Sequence, residues 1–397
     1  MNKKTIDDIT LKGQRVLVRV DFNVPIQNGQ ITDTTRIESS LPTIRKIIGD
    51  GGCAILMSHL GRPKGQVIPK FSLKPVADKL GELLGKPVAF AADCIGDSAK
   101  VVVDKLADGD VCLLENLRFH PEEEKNDPGF AEKLAAWGNV YVNDAFGSAH
   151  RAHASTEGVT KYIRTAVAGY LMQKELDALG GLLSQPAHPF LAVLGGAKIS
   201  GKLEVITHLL GKVDAIIIGG GMAFTFLKAQ GKEVGKSLVE DDLIDTADQI
   251  LNDADKAGKK FLLPVDCLIA ANLDNPGQPK IESVDHMPKD MGGFDIGPKS
   301  ARAFANEIAK SKTIFWNGPM GVFEKPPFDA GTRVVADAIA KATDAGAKSV
   351  LGGGDSVAAA HTLGLADRMT HASTGGGASL EFMEGKTLPG VAALNDR

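Results

Sequence analysis

The sequence predicts an α/β protein built on parallel sheets covered by helices, divided into two or three domains. Three observations carry this. Short, nearly continuous apolar runs alternate with helical patterns, as expected of strands buried on both faces. Nearly every run exits into polar or glycine-rich residues, which is where parallel sheets bind ligands. Finally, 397 residues exceed one ordinary core at about 150 residues per domain.

In chain order, the first half offers strands at Arg15–Val20, 54–57, Val111–Leu114 and 140–142. They exit into Asp21-Phe22-Asn23, Ser58-His59-Leu60-Gly61-Arg62, Glu115-Asn116-Leu117-Arg118 and Asn143-Asp144-Ala145-Phe146. Helical patterns over 73–84 and 333–342 lie between runs. Tyr170–Ser184 has apolar residues at helical spacing, with Gly180-Gly181 as the expected stop, and Gln185-Pro186 leads onward. We place the domain boundary here, with this helix in the connection. Strands of the second half fall at Phe190–Leu194, Ala215–Ile218, 312–316 and Lys348–Leu351, and exit into glycine clusters or Asn317-Gly318-Pro319.

Composition narrows the function. Hydrophobic residues at 43% and charged residues at 24% are ordinary for a globular chain, and a net charge of -4 gives no general attraction to nucleic acid. Arginines concentrate in the first 170 residues, which favours a small polyanionic ligand for that half. Cys53, Cys94, Cys112 and Cys267 form no CxxC pair, so neither a zinc site nor a disulfide framework is expected. The N-terminus meets acidic residues before any apolar run, and no run approaches the ~18 residues of a membrane span. A cytoplasmic protein without membrane or nucleic-acid partners is the expectation.

The second half carries candidate phosphate chemistry. Gly195-Gly196-Ala197-Lys198-Ile199-Ser200-Gly201-Lys202-Leu203 nearly matches a P-loop, but Leu203 stands where a magnesium-binding hydroxyl belongs. Lys198 and Lys202 are four apart and share a face if the helix has begun; they are phosphate ligands or a surface pair. In Leu351-Gly352-Gly353-Gly354-Asp355-Ser356 a strand breaks into glycines before a helix, leaving unpaired N–H groups for an anion. Asp355 is placed to hold Mg²⁺ or simply to cap the helix. Glu324 is a ribose acceptor or a solvated loop residue, and Gly375-Gly376-Gly377 offers another helix start. In the first half, Asp21 and Asn23 lie two apart at a strand end, and Arg36, Arg62, Arg118 and Arg151 supply charge from separate segments. His59, His150 and His153 suit polar pocket lining better than metal, since no acid or cysteine nearby completes a set.

Seven runs together closely resemble the phosphoglycerate kinase family: those beginning at Arg19, Ser58, Glu115, Asn143, Gly195, Trp316 and Gly352. They occur in the family's order and span nearly the whole chain. The resemblance implies two doubly wound parallel-sheet, Rossmann-like lobes joined by a hinge helix. The N-terminal lobe would be residues 1–170, the hinge 171–185 and the C-terminal lobe 186–380, with the tail 381–397 returning to the N-terminal lobe. It further implies that Asp21, Phe22, Asn23, Arg36, His59, Leu60, Gly61, Arg62, Arg118 and Arg151 bind 3-phosphoglycerate or 1,3-bisphosphoglycerate. Lys198, Lys202, Gly293, Glu324, Gly353, Gly354, Asp355 and Ser356 would bind ADP or ATP, with Asp355 serving Mg²⁺. Catalytic positions fall to Arg36, Lys198, Gly353 and Gly376, and a monomer is expected. Gly201 stands where many members carry a polar residue, and Ser356 replaces a frequent Thr but keeps the hydroxyl. The rival readings are weaker. Leu203 disfavours a P-loop ATPase, and no GxGxxG supports a dinucleotide-dependent dehydrogenase. A non-catalytic binding module would be expected to lose Arg36, Lys198 or Asp355.

Overall fold

The structure, a computed structural model, describes residues 2–397. The chain divides into two compact units, one ending at Asp177 and taking in Thr387–Arg397, the other Ala178–Lys386.

The first unit holds a six-stranded sheet in the order Ala89–Ala91, Val111–Leu114, Cys53–Met57, Arg15–Val20, Val140–Asp144, Thr165–Ala168. Every pairing is parallel. Val16, Val18 and Val20 of the central strand pack with Ile37 and Ile44 of helix Thr35–Gly49, so that helix covers one face. Leu17, also fully buried, belongs to the opposite face because side chains alternate along a strand. Winding reverses between Arg15–Val20 and Val140–Asp144, which makes their carboxyl ends the topological switch point.

The second unit repeats the principle with the order Lys260–Leu262, Ala215–Ile218, Phe190–Leu194, Thr313–Asn317, Lys348–Leu351, His371–Ala372, again all parallel. Leu191, Val193, Ile314 and Trp316 pack with Phe304 and Ile308 of helix Pro298–Ile308 and with Val335 and Ile339 of helix Ala330–Asp344. Its switch point lies between Phe190–Leu194 and Thr313–Asn317. A three-stranded antiparallel sheet, Lys280–Ser283, Asp266–Ala270 and Gly292–Ile296, adds a small core with Phe224, Leu227 and Met287. Charges in one of its strands and paired glycines in another hide it from an apolar-run reading.

Two expectations, the helix stop and the start of the returning tail, need correction. Helix Tyr170–Ser184 does not stop at Gly180-Gly181. Met172, Leu176, Leu179 and Leu182 are buried at helical spacing, and that burial outweighs a glycine cost of about 1 kcal/mol each. The two units part within this helix, between Asp177 and Ala178. The C-terminal segment joins the first unit from Thr387, while 381–386 stay with the second. Its anchor is Asn395, whose N–H donates to the Ala166 carbonyl at 2.8 Å and whose side chain accepts from the Ala166 N–H at 2.8 Å. Among the described residues no helix is long and apolar enough to cross a membrane.

Candidate functional site

Arg19 interrupts the apolar central strand of the first unit with a guanidinium that is only 1% exposed. It donates through Nε to Ser155 Oγ at 2.9 Å and through Nη1 to the Val20 carbonyl, and Nη2 lies 2.9 Å from His59 Nδ1. A guanidinium can only donate, so His59 Nδ1 accepts and the ring proton sits on Nε2. Burial above all, then Arg19, Arg118 and Arg36, hold the His59 pKa well below its ordinary value. His59 is therefore a neutral, oriented donor. Behind it, buried Glu123 accepts from Ser155 Oγ at 2.5 Å and from its N–H at 3.0 Å, completing a chain from Glu123 through Ser155 to Arg19.

Around this donor the predicted residues assemble through short contacts. Arg36 Nη1 pairs with Asp21 Oδ2 at 2.7 Å, and Asp21 Oδ1 accepts the Asn23 N–H at 3.2 Å. Asn23 Oδ1 accepts the Gly61 N–H at 2.9 Å, while Arg118 Nη1 donates to the Gly61 carbonyl at 3.0 Å. Burial lowers the Arg118 pKa, with nearby Glu124 opposing the shift from 3.4 Å. Arg62 and Arg151 are exposed side chains flanking this cluster in sequence. Phe22 and Leu60 differ: both side chains lie in the hydrophobic core. Their backbones are tied down instead, the Phe22 N–H to Ser58 Oγ at 2.9 Å and the Leu60 carbonyl to Asn116 Nδ2 at 2.7 Å. They position the loops and present no side chain for a ligand.

The second unit builds its site from backbone. Gly195 N–H donates to the Asn317 carbonyl at 2.9 Å and Gly196 N–H to the Pro319 carbonyl at 3.1 Å, locking the two strand exits together at the switch point. A Cβ on Gly318, whose φ is +100°, would lie 2.2 Å from the Gly195 carbonyl oxygen, so only glycine fits there. Ser356 Oγ accepts the Gly318 N–H at 2.5 Å and donates to the Gly352 carbonyl at 3.0 Å. Its hydroxyl is thus committed to the scaffold, and what Ser356 offers an anion is its N–H. Ser379 Oγ likewise accepts from Gly353 N–H at 3.4 Å and donates to the Gly376 carbonyl at 2.7 Å, tying the glycine turns that precede two helices. Helix Gly354–Thr362 then begins with its first N–H groups free of intrahelical partners and with Asp355 exposed in the first turn.

The lysine pair does not share a helical face. The helix begins only at Leu203, after both lysines, and 200–202 form a turn. Lys198 is exposed, whereas Lys202 reaches back to Asn317 Oδ1. Burial pushes the Lys202 pKa down to about 8, against the pull of Asp355 and Glu384. Gly293 lies within the antiparallel sheet, its N–H on Ser237 Oγ at 2.9 Å, and a Cβ there would meet the Phe224 ring at 2.1 Å. Glu324 is an exposed loop residue. Sequence reasoning missed Glu123 and Ser155. Glu123 sits in a run of three glutamates that looks like solvated surface, and nothing local marks it as buried.

Comparison with known proteins agrees with this geometry. The family model described as phosphoglycerate kinase matches residues 6–386. A phosphoglycerate kinase of Chloroherpeton thalassium is 58% identical over 396 residues, covering 100% of both chains, and one of Chlorobaculum tepidum is 56% identical over 397. Among solved structures, phosphoglycerate kinase from Coxiella burnetii superposes with a TM-score of 0.91 at 41% identity, over 98% of each chain. That from Pyrococcus horikoshii gives 0.84 at 32% identity, also over 98% of each chain. The chain belongs to the phosphoglycerate kinase family.

Proposed function

We propose that this protein transfers a phosphoryl group reversibly between 1,3-bisphosphoglycerate and ADP, giving 3-phosphoglycerate and ATP. The observation that carries the reading is the pairing of two unlike anion sites on separate sheets. One is a cluster of arginines around a neutral histidine donor, and the other is a glycine-lined helix N-terminus with Lys202 beside it. The first suits phosphoglycerate and the second a nucleotide.

In the ATP-forming direction an oxygen of the ADP β-phosphate attacks the acyl phosphorus. The bond from phosphorus to the carboxyl oxygen breaks, and carboxylate leaves. Both nucleophiles, phosphate one way and carboxylate the other, are already ionised at neutral pH, so no general base is needed. Catalysis then rests on in-line positioning and on neutralising charge over the phosphoryl oxygens. Arg36 spends one Nη on Asp21, leaving further N–H groups for the transferring group, and exposed Lys198 would supply a second cation to it. His59 binds without titrating in the neutral range. Asp355 is an exposed carboxylate at a phosphate-binding helix start, which fits Mg²⁺, an ion that takes one or two protein carboxylates and completes its shell with phosphate oxygens. Bound there, Mg²⁺ would neutralise charge on the nucleotide phosphates.

Because the two sites belong to separate units, the units must bring their ligands together, a closure that also shields the acyl phosphate from water. A cytoplasmic monomer is part of the same proposal. The test is ATP formation from ADP, Mg²⁺ and enzymatically generated 1,3-bisphosphoglycerate, with solution scattering on the same preparation. Turnover with compaction when both substrates bind is the expected result. A folded protein that binds ADP yet makes no ATP would instead be a binding module.

A further inference from the structure

The cysteine spacing argues against a zinc site, yet the first unit gathers three different metal-ligating groups beside its outer strand. Asp93, Cys94 and His120 place one carboxylate oxygen, one thiol sulfur and one imidazole nitrogen within 4.8 Å of one another. Asp93 and Cys94 follow the edge strand Ala89–Ala91, and His120 follows the short 3-10 turn Leu117–Phe119. The three converge only because that edge strand pairs with Val111–Leu114, so both segments leave the sheet at the same end.

The donors are held rather than loose. Asp93 Oδ1 accepts the Cys94 N–H at 2.6 Å and lies 2.7 Å from His120 Nε2. The His120 ring stands against Phe130 with centroids 5.2 Å apart, and Trp137 Nε1 donates to the Cys94 carbonyl at 2.9 Å. Cys94 is fully buried, whereas the Asp93 and His120 side chains are 40% and 25% exposed. The cluster is therefore closed on the sulfur side and open to solvent on the other. Three protein ligands with one open position is the pattern of a zinc-type ion, and thiolate with imidazole selects that class over magnesium or calcium.

We propose that Asp93, Cys94 and His120 form a metal site for a borderline-soft divalent cation of the zinc class, distinct from the Mg²⁺ position proposed at Asp355. Binding releases one proton to solvent, that of the thiol, while His120 ligates as a neutral imidazole through its lone-pair nitrogen and keeps its proton on the other ring nitrogen. The sulfur–metal and nitrogen–metal bonds form, and the open position takes water. No oxidation or further co-reactant is involved. The buried packing around Phe130 and Trp137 fixes the ligand directions, as supporting contacts do in other metal sites.

The experiment is a Co²⁺ titration of the full, metal-stripped chain under a non-thiol reductant, followed by absorption spectroscopy. One equivalent of Co²⁺ is expected to give a thiolate-to-cobalt charge-transfer band, and equimolar Zn²⁺ is expected to abolish it. Cys94→Ala should remove the band and His120→Asn should weaken Co²⁺ binding at least about tenfold. Cys267→Ala, at a buried thiol in the other unit, should leave both unchanged. His120 is part-exposed, so its variant keeps the test valid if the Cys94 variant misfolds. A wild type without the band, or a band that survives both Cys94→Ala and His120→Asn, would overturn the proposal. ATP synthesis does not enter the readout, so failure here leaves the phosphotransfer reading standing.

Discussion

The two units carry the same doubly wound sheet and place their sites at the same topological position, but they build them from opposite materials. In the first, charge comes from side chains: Arg19 and Arg118 are pressed into the protein, and His59 is kept neutral by its burial first and by those cations second. In the second, a helix start offers backbone N–H groups, beside strand exits where Gly195 and Gly318 are packed too closely for any Cβ. Side-chain recognition suits a small ligand whose carboxylate and phosphate must be distinguished. Backbone recognition suits the repeated phosphates of a nucleotide, where discrimination lies elsewhere. This difference predicts that damage to either site should be chemically specific.

The largest expected effect is on catalysis. Arg36→Ala should lower kcat by about a hundred- to a thousandfold, the range found when one transition-state donor is removed, and leave ADP affinity near wild type. Unchanged turnover in steady-state assays would remove Arg36 from the chemistry. Next comes the backbone site. Gly318→Ala forces a side chain onto the Gly195 carbonyl at a φ of +100° and should cost about 1–3 kcal/mol in denaturant unfolding, with weakened ADP binding. Retained stability with normal ADP affinity would show that the glycine contact is dispensable.

Lys202 sharpens the contrast, because it is a half-buried side-chain cation on the backbone-built side. Lys202→Ala should weaken ADP about tenfold, the worth of one hydrogen bond to a charged group. Its pKa is depressed to about 8, so the ammonium is present below that value and lost above it. Wild-type ADP affinity should therefore fall as pH rises through about 8, and the variant should lack that fall. A pH-independent wild type would mean that Lys202 does not meet phosphate.

How much of this was legible depended on where the determinant lay. Continuous apolar strands declared themselves, and so did the polar exits that follow them, because both are local. Phe22 and Leu60 sit inside motif runs but have side chains that belong to the core, a distinction their apolar character already suggested. The Glu123–Ser155–Arg19–His59 chain was invisible, since it joins residues from four segments and depends on burial. The antiparallel sheet was hidden by its charges, and the lysine face failed because the helix starts only after both lysines.

The smallest expected effect concerns the connecting helix Tyr170–Ser184. Asp144 Oδ1 accepts the Leu171 N–H at 2.9 Å and the Met172 N–H at 3.3 Å, and burial pushes the Asp144 pKa up to about 6. A carboxyl whose folded pKa exceeds its ordinary 3.8 contributes most below about pH 4, and that contribution is lost as pH rises through 6. Asp144→Asn keeps an acceptor without titrating, so its Tm should rise relative to wild type over that interval, by a few degrees for about 1 kcal/mol. Parallel Tm profiles would show that Asp144 stays ionised in the fold.

The central claim is that each unit holds one substrate, and calorimetry of both ligands against two variants tests it most directly. Wild type, Arg62→Ala and Lys202→Ala would each be titrated with 3-phosphoglycerate and, separately, with ADP. The account predicts that Arg62→Ala weakens only 3-phosphoglycerate and Lys202→Ala only ADP. The reverse pairing, or loss of both ligands in either variant with the fold intact, would contradict it.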